Sequence, residues 1–439
     1  MKKILLIYPC PDEIKSCRFG YSLLLLYIAS DLRNRGFNVE LLDYSVNKYS
    51  KFELSGKISA DSIVILEIDA FPLKRSVNFK NAQKYVQDIR SVNKKIPIIA
   101  IGKQCTLFHK MLDFVDCTIS GDSEISISSV IENIEKGMPL SKYIDCGVLE
   151  DMSKLPYPAY DLLSNEQICG KTSDSHLHLA PSALLETSRG CPGTCTFCQR
   201  KGWGKKISYL PLNHIYHNFE LLLRSGIRNI WIVDENFGGN LARAREVMET
   251  FINIKKNYEI RMSLSSWTKI NTEFLDLAKK CGVSIISFGI ESVVKENQLF
   301  YKKPIDIDNL RHILEYADSI GIFTVGNFII GSPFDSPDVV EQSLLFAKES
   351  ALDVVNVKTL DYMIGSELYE QIQIPSSLHN HIHFFSSKEF GTTSLTQQEI
   401  QCLISKFYTE FNSPQKVIHL RNKILKFGPP YFSENQIYN

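Results

Sequence analysis

Twice along this chain, short apolar runs alternate with amphipathic stretches long enough to be helices, and that alternation leaves few folds open. From Lys3 to about Gly137, the runs Ile4–Tyr8, Asn38–Leu42, Ser62–Glu67, Pro97–Ile101 and Cys117–Ser120 read as strands buried on both faces. Tyr21–Asn34, Asn81–Asn93 and Ile125–Glu135 read as helices between or after them. The pattern predicts an α/β fold with a doubly wound parallel sheet whose ligands lie at the carboxyl ends of its strands. The loop from Pro9 to Gly20, after the first strand, is then the natural ligand-side loop. Residues 138–182 carry little periodicity and include Pro139, Pro156, Pro158 and Pro181, so they read as a linker.

From Ala183 the alternation resumes, with strands expected at Ala183–Thr187, Asn229–Val233, Arg261–Ser265, Ser284–Gly289, Phe323–Ile330 and Asp353–Thr359. Helices are expected near 212–225, 241–256, 273–280, 307–320 and 337–350. The tail contains an amphipathic stretch, Thr396 to Phe411, opened by the capping sequence Ser394-Leu-Thr396-Gln-Gln-Glu399. The expected divisions are therefore 1–137, a linker at 138–182, a second α/β unit at 183–373 and a helical cap at 374–439. A length of 439 residues gives each unit an ample core.

Charge excludes some partners. Lys plus Arg equals Asp plus Glu, 49 each, which gives no general electrostatic reason to bind nucleic acid or an anionic membrane. The apolar run at the N-terminus is broken by Pro9, Asp12 and Glu13 and is too short for an export signal, and Tyr21–Ala29 is about half of what spans a bilayer. No transmembrane segment is expected. Eleven cysteines scattered through a long chain fit a reducing cytoplasm better than a disulfide framework.

The most specific local signal is Glu186-Thr-Ser-Arg-Gly-Cys-Pro-Gly-Thr-Cys-Thr-Phe-Cys198, which spaces Cys191, Cys195 and Cys198 as C-x3-C-x2-C. Three thiolates in eight residues can face one point if the backbone loops around it, and soft thiolates suit an iron–sulfur cluster or zinc. Structural zinc usually takes two C-x2-C knuckles, and no second knuckle follows. With Phe197 before the third cysteine, the motif resembles the C-x3-C-x-aromatic-C signature of the radical S-adenosylmethionine (SAM) enzymes. The resemblance implies that the three cysteines hold three irons of a 4Fe-4S cluster. SAM chelates the fourth iron and is cleaved to a 5′-deoxyadenosyl radical. It also implies a partial (β/α)6 barrel for the second unit, with its chemistry at the strand carboxyl ends.

The same resemblance assigns roles at those ends. Asp234 and Glu235, after the second barrel strand, stand where the family receives the SAM amino group, with Asp234 the first choice. Gly289-Ile-Glu291-Ser292 looks like the element whose acid, here Glu291, approaches the ribose hydroxyls. Gly326 to Pro333, with Gly331, is similar to the element that packs against adenine. Lys302 and Lys303 are candidates for the SAM carboxylate or for a surface helix start.

The first unit resembles the cobalamin-binding domain that precedes the radical domain in one large class of these enzymes, through Tyr8-Pro9, Gly20, Gly36, Asp43 and Gly121-Asp-Ser-Glu124. It departs from that class in having Gly102-Lys103 where two glycines are common, and it has no Asp-x-His-x-x-Gly motif. Bound cobalamin is then expected base-off, without a histidine on cobalt. His109, His176, His178, His379, His381 and His383 are assigned no metal. Cys10 and Cys17, with Cys105 as a third, could hold a second cluster as in methylthiotransferases, but that family carries a basic C-terminal RNA-binding domain and the C-terminal portion here is short and not distinctly basic. The expected function is cobalamin-dependent radical methylation of an unactivated carbon in a small metabolite or natural-product intermediate. The runner-up is a radical SAM oxidoreductase, cyclase or rearrangement enzyme without cobalamin. Electrons are expected from an external flavodoxin- or ferredoxin-like donor.

Overall fold

The computed structural model describes residues 2–9, 21–44, 49–69, 79–168, 182–199, 206–256, 258–372 and 383–432. The first unit is a parallel sheet of β1 (Lys3–Tyr8), β2 (Asn38–Asp43), β3 (Ser62–Glu67), β4 (Ile98–Ile101), β5 (Cys117–Ser120) and β6 (Tyr143–Asp145), ordered β2-β1-β3-β4-β5-β6. Side chains alternate between its faces, as a pleated strand requires. Leu5, Ile7, Val64, Leu66 and Ile98 enter one core, while Ile4, Leu6, Ile63, Ile65 and Ile99 enter the other. Helices α1 (Leu23–Asn34), α2 (Lys51–Lys57), α3 (Phe79–Val92), α4 (Cys105–Phe108) and α5 (Ile127–Glu135) complete the unit. The doubly wound expectation holds. β6, however, lies inside the stretch read as linker and adds a sixth strand to the sheet.

The described residues that follow β6, up to Ile168, are packed rather than loose. Leu149, Met152, Leu155 and Tyr160 share a core with Tyr21, Leu23 and Tyr27 at the start of α1 and with the first barrel strand. The Tyr21 hydroxyl donates to the Leu184 carbonyl and accepts from the Leu184 N–H, both at 2.9 Å, which ties the two sheets together at their junction.

The second unit has β7 (Ala183–Leu185), β8 (Asn229–Ile232), β9 (Arg261–Ser266), β10 (Val283–Glu291), β11 (Phe323–Ile330) and β12 (Val354–Thr359), all parallel and ordered β12-β11-β10-β9-β8-β7. Its connecting helices are α6 (Leu212–Arg224), α7 (Leu241–Lys255), α8 (Thr272–Cys281), α9 (Ile307–Ser319) and α10 (Pro337–Glu349). β7 and β12 are the edges of an open barrel. Helix α11 (Gln397–Phe411) starts at a capping box in which Thr396 and Glu399 satisfy each other's backbone, as expected. It packs across β11 and β12, with Phe407 on Phe328 at 5.0 Å and the Val357 N–H donating to the Tyr408 hydroxyl. A final helix, α12 (Pro414–Phe427), follows it.

Candidate active site at the barrel mouth

Every residue from Glu186 to Gly190, the run leading into the cysteine loop, is pinned by a named partner. Asp234 accepts from the Thr187 N–H at 2.8 Å and from the hydroxyls of Thr187 and Ser188 at 2.6 Å each. Burial nevertheless pushes its carboxyl up to about 6, because desolvation outweighs those donors. Glu235 accepts from the Gly190 N–H. Gly190 has φ +93°, and a Cβ there would lie 2.3 Å from the Lys206 carbonyl oxygen, so the turn admits only glycine. Arg189 reaches Glu186 and Glu124 at 2.9 Å and Asp122 at 3.3 Å. The last two stand at the end of β5, so the cysteine loop is anchored on the first sheet as well as on the barrel.

Beyond Gly190 the loop closes around its own sulfurs. The Gly193 N–H points at the Cys191 sulfur at 3.4 Å. A Cβ on Gly193 would meet the Trp267 ring at 2.2 Å, so this glycine lets an indole seat against the loop. Thr196 is held by the carbonyls of Phe300 and Tyr301, and Phe197 meets the Tyr301 ring edge-on at 5.4 Å. Among the described residues only Asp318, Asp353 and His419 bring three ligand atoms within 4.8 Å of one another. Three thiols on one loop, with an amide directed at sulfur, fit a multi-iron cluster better than zinc. At the Asp318–Asp353 pair the Lys423 ammonium, 2.9 and 2.7 Å away, already supplies the positive charge.

Above the loop is a cavity of about 320 Å3 lined by Phe197, Glu235, Trp267, Glu291, Lys303 and Asn327, among others. Glu291 sits at φ +61°, where the β10–β11 register slips, and this turns its carboxylate into the cavity. Lys303 donates to it at 2.7 Å and lies 5.4 Å from the centre of the Trp267 ring. Burial works against the lysine's charge. Glu291 and then the sulfurs of Cys195 and Cys191 outweigh it and hold the ammonium above its usual range. A Cβ on Gly289 would come within 2.3 Å of the Lys303 nitrogen, so that glycine makes room for the pair. The floor is a polar ladder: Asn356 donates to Asn327 at 3.0 Å, and Asn327 donates to Ser287 at 2.8 Å.

The structure thus gathers Phe197, Glu235 and Glu291 around one cavity, with the sulfurs of Cys195 and Cys191 near enough to act on the charge of Lys303 in its wall, and sets two expected residues apart. Asp234 points away from it, its oxygens taken by Thr187 and Ser188. Gly331, at φ +115°, lies against Ser386 and Ile400 of the tail, with its N–H on Asp335. Lys303 lines the cavity, whereas Lys302 is paired with Glu367 outside it. Trp267 and Arg189 carry no signal in the sequence as cavity or anchoring residues, whereas Lys303 is one of the two lysines expected at the SAM carboxylate or a surface helix start. Cys105 is fully buried in the first sheet's core, and Cys10 and Cys17 lie outside the described residues. His383 is hydrogen-bonded to Asp361 at 3.0 Å, His109 stacks on Tyr143, and His176, His178, His379 and His381 lie outside the described residues.

The site invites one direct test. Glu291→Ala would strand the buried Lys303 ammonium, so Glu291→Gln is the cleaner change. It is expected to weaken SAM binding about tenfold or more, the worth of one hydrogen bond to a charged group, roughly 1.5–3 kcal/mol. Cluster content should be unchanged. An unaltered dissociation constant by equilibrium dialysis would remove Glu291 from the ligand.

A second, smaller cavity of about 60 Å3 lies where the two sheets face each other, lined by Glu67, Asp69, Lys103, Asp122, Glu124, Glu186, Arg189 and Glu235, among others. Glu235 is common to both cavities. Burial, then the neighbouring Asp69, holds the Glu67 carboxyl well above the usual range. One oxygen each of Glu67 and Glu186 is buried there without a hydrogen-bond partner. Those oxygens suit the amide groups on a corrin rim, but the volume suits a water or two. The stretches after β1, β2 and β3 (10–20, 45–48 and 70–78) lie outside the described residues. The described residues therefore do not by themselves form a bed for cobalamin.

An open six-stranded parallel barrel that feeds its first strand into a three-thiol loop, beneath a cavity with a buried acid and lysine, defines an enzyme that works at the barrel mouth beside a metal cluster. Residues 185–347, most of the barrel unit, match the radical SAM superfamily, and a Rossmann-like sheet stands ahead of them. An uncharacterized methyltransferase of Pyrococcus horikoshii is 23% identical over 95% of this chain and 94% of its own length. The cytidylyl-2-hydroxyethylphosphonate methyltransferase of Streptomyces wedmorensis is 28% identical over 50% of this chain and 43% of its own. Among solved structures, the cobalamin-dependent SAM radical enzyme OxsB with aqua-cobalamin bound gives a TM-score of 0.72 at 15% identity, over 100% of this chain and 78% of that one. The radical SAM methyltransferase TsrM of Kitasatospora setae, with cobalamin and a 4Fe-4S cluster, gives 0.66 at 14% identity, over 84% and 77%. These two likenesses establish the fold. No helix among the described residues is long and apolar enough to cross a membrane.

Proposed function

We propose that this enzyme methylates an unactivated carbon of a small, polar metabolite or natural-product intermediate, with cobalamin as the methyl carrier. The observation that carries the reading is Glu235, which walls both the barrel-mouth cavity and the cavity at the strand ends of the first sheet. A group held on that sheet would face the substrate across one side chain. The methyltransferase names of relatives spanning half to nearly all of the chain support the same outcome.

When bound, the cluster and SAM supply an adenosyl radical that removes a hydrogen atom from the substrate. The chain's own residues do the rest. Glu291 and Glu235 are placed to accept from the hydroxyl and ammonium groups of SAM, and Lys303 to neutralise a carboxylate beside Cys191 and Cys195. Ser287 and Asn327 offer hydrogen bonds among the apolar side chains of the cavity wall, which favours a polar substrate over a lipid. Trp267 fills the angle between the cysteine loop and Lys303 and keeps water from both.

The volume of the inter-sheet cavity favours a second reading, in which the same radical performs an oxidation, cyclisation or rearrangement and no cobalamin is held. Protein purified anaerobically from cobalamin-supplied cells decides between them. The first reading expects retained cobalamin with a base-off spectrum and no imidazole on cobalt. A protein that takes up none yet still cleaves SAM belongs to the second.

A further inference from the structure

At the opposite end of the barrel from the cysteine loop is a cavity of about 200 Å3, formed where the amino ends of β9, β10 and β11 meet the segment that leaves α12. Its lining includes Lys255, Arg261 and Lys279, with Ser284 beside them and Phe427 and Pro430 as a roof. Each cation has a structural partner. Lys255 donates to the Lys280 carbonyl at 3.0 Å, Lys279 to the Gly321 carbonyl at 3.0 Å, and Arg261 to the carbonyls of Ile260 and Pro429 at 3.3 Å. Those carbonyls are neutral, and among the described residues the one carboxylate paired with any of the three is Glu259, 3.0 Å from Arg261 and largely exposed. The nearby acids Asp318 and Asp353 are taken by Lys423.

Helix ends explain part of this. Lys255 closes α7 and Lys279 lies in the last turn of α8, where the carbonyl end of the helix dipole favours a cation. A dipole accounts for one cation per helix. It does not account for three converging on a shared void with a single carboxylate among them. The cost of that convergence is visible in the lysines. Burial, followed by Arg261 and neighbouring lysines, holds the Lys279 ammonium below its usual range, and burial holds Lys255 below its own. Each ammonium has three donors and spends one on the carbonyl named, so donors remain for a ligand.

We infer that this cavity binds a multivalent oxyanion of the phosphate type, either free phosphate or the phosphoryl group of a small metabolite. Lys255, Lys279 and Arg261 would share its charge. Three strand ends of the barrel and the chain beyond α12 would then be joined through one ion, away from the chemistry at the mouth.

The test uses the full-length reconstituted enzyme. Inorganic phosphate is expected to raise the thermal midpoint in a saturable way that chloride at equal ionic strength does not reproduce. Lys279→Gln and Lys255→Gln each keep a donor for the carbonyl they serve, so both are expected to fold. Each should lose roughly tenfold or more in phosphate affinity through removal of one charged hydrogen bond. Glycerol 3-phosphate is the second arm: tighter binding than inorganic phosphate identifies a metabolite's phosphoryl group, and weaker binding identifies the free ion. A midpoint that follows ionic strength alone, or a phosphate response equal in the wild type and both variants, overturns the inference.

Discussion

Cys198→Ala is expected to leave the protein folded but unable to hold a complete 4Fe-4S cluster, and SAM cleavage should fall to background. The side chain is small and partly exposed, at the end of a loop whose other anchors are independent of it: Thr196 on Phe300 and Tyr301, and Gly190 on Glu235. Loss of one thiolate therefore removes a metal ligand without opening a core. Iron and sulfide content after anaerobic reconstitution, together with 5′-deoxyadenosine yield, measures the effect. Wild-type values for both would end the assignment of this loop as the cluster site.

Arg189→Met should have the largest effect on stability. The guanidinium is buried and carries the charge balance for Glu124, Glu186 and Asp122, which come from both units. Removing one partner of a buried ion pair costs roughly 3–5 kcal/mol, because the charges left behind are neither solvated nor paired. Glu124 is already displaced upward by burial, so protonation will absorb part of that cost. Because Arg189 lies two residues before Cys191, the variant is also expected to take up less iron. Urea unfolding with and without cluster would measure both. A loss below about 1 kcal/mol, within the range of exposed ion pairs, would mean the network is not what joins the units.

The elements that sequence alone made legible are those that bury most. Ser62–Glu67, Cys117–Ser120 and Phe323–Ile330 were read to the residue, and each presents an apolar run or alternation that only a buried strand explains. Three of the elements it missed bury very little. β6 is an edge strand with no buried residue, α2 buries only Leu54, and α12 buries only Lys423, so none offers a hydrophobic period to read.

A parallel limit applies to the site. Spacing marks the three cysteines because a metal fixes it, but a carboxylate at a strand end reads the same whether it faces a ligand or a backbone. Asp234 and Glu235 are adjacent, and only the fold shows that the first is spent on Thr187 and Ser188 while the second faces both cavities. Two of the three partners of Arg189, Asp122 and Glu124, lie more than sixty residues away in the other unit, beyond the reach of any local pattern.

The most direct measurement is the fate of SAM in the reconstituted, cobalamin-supplied enzyme under a strong reductant, with Cys198→Ala as the control. The account predicts 5′-deoxyadenosine from the radical step and S-adenosylhomocysteine from methyl transfer to the carrier, the first absent from the control. No 5′-deoxyadenosine above that control would contradict the central claim that this barrel mouth is a radical SAM site.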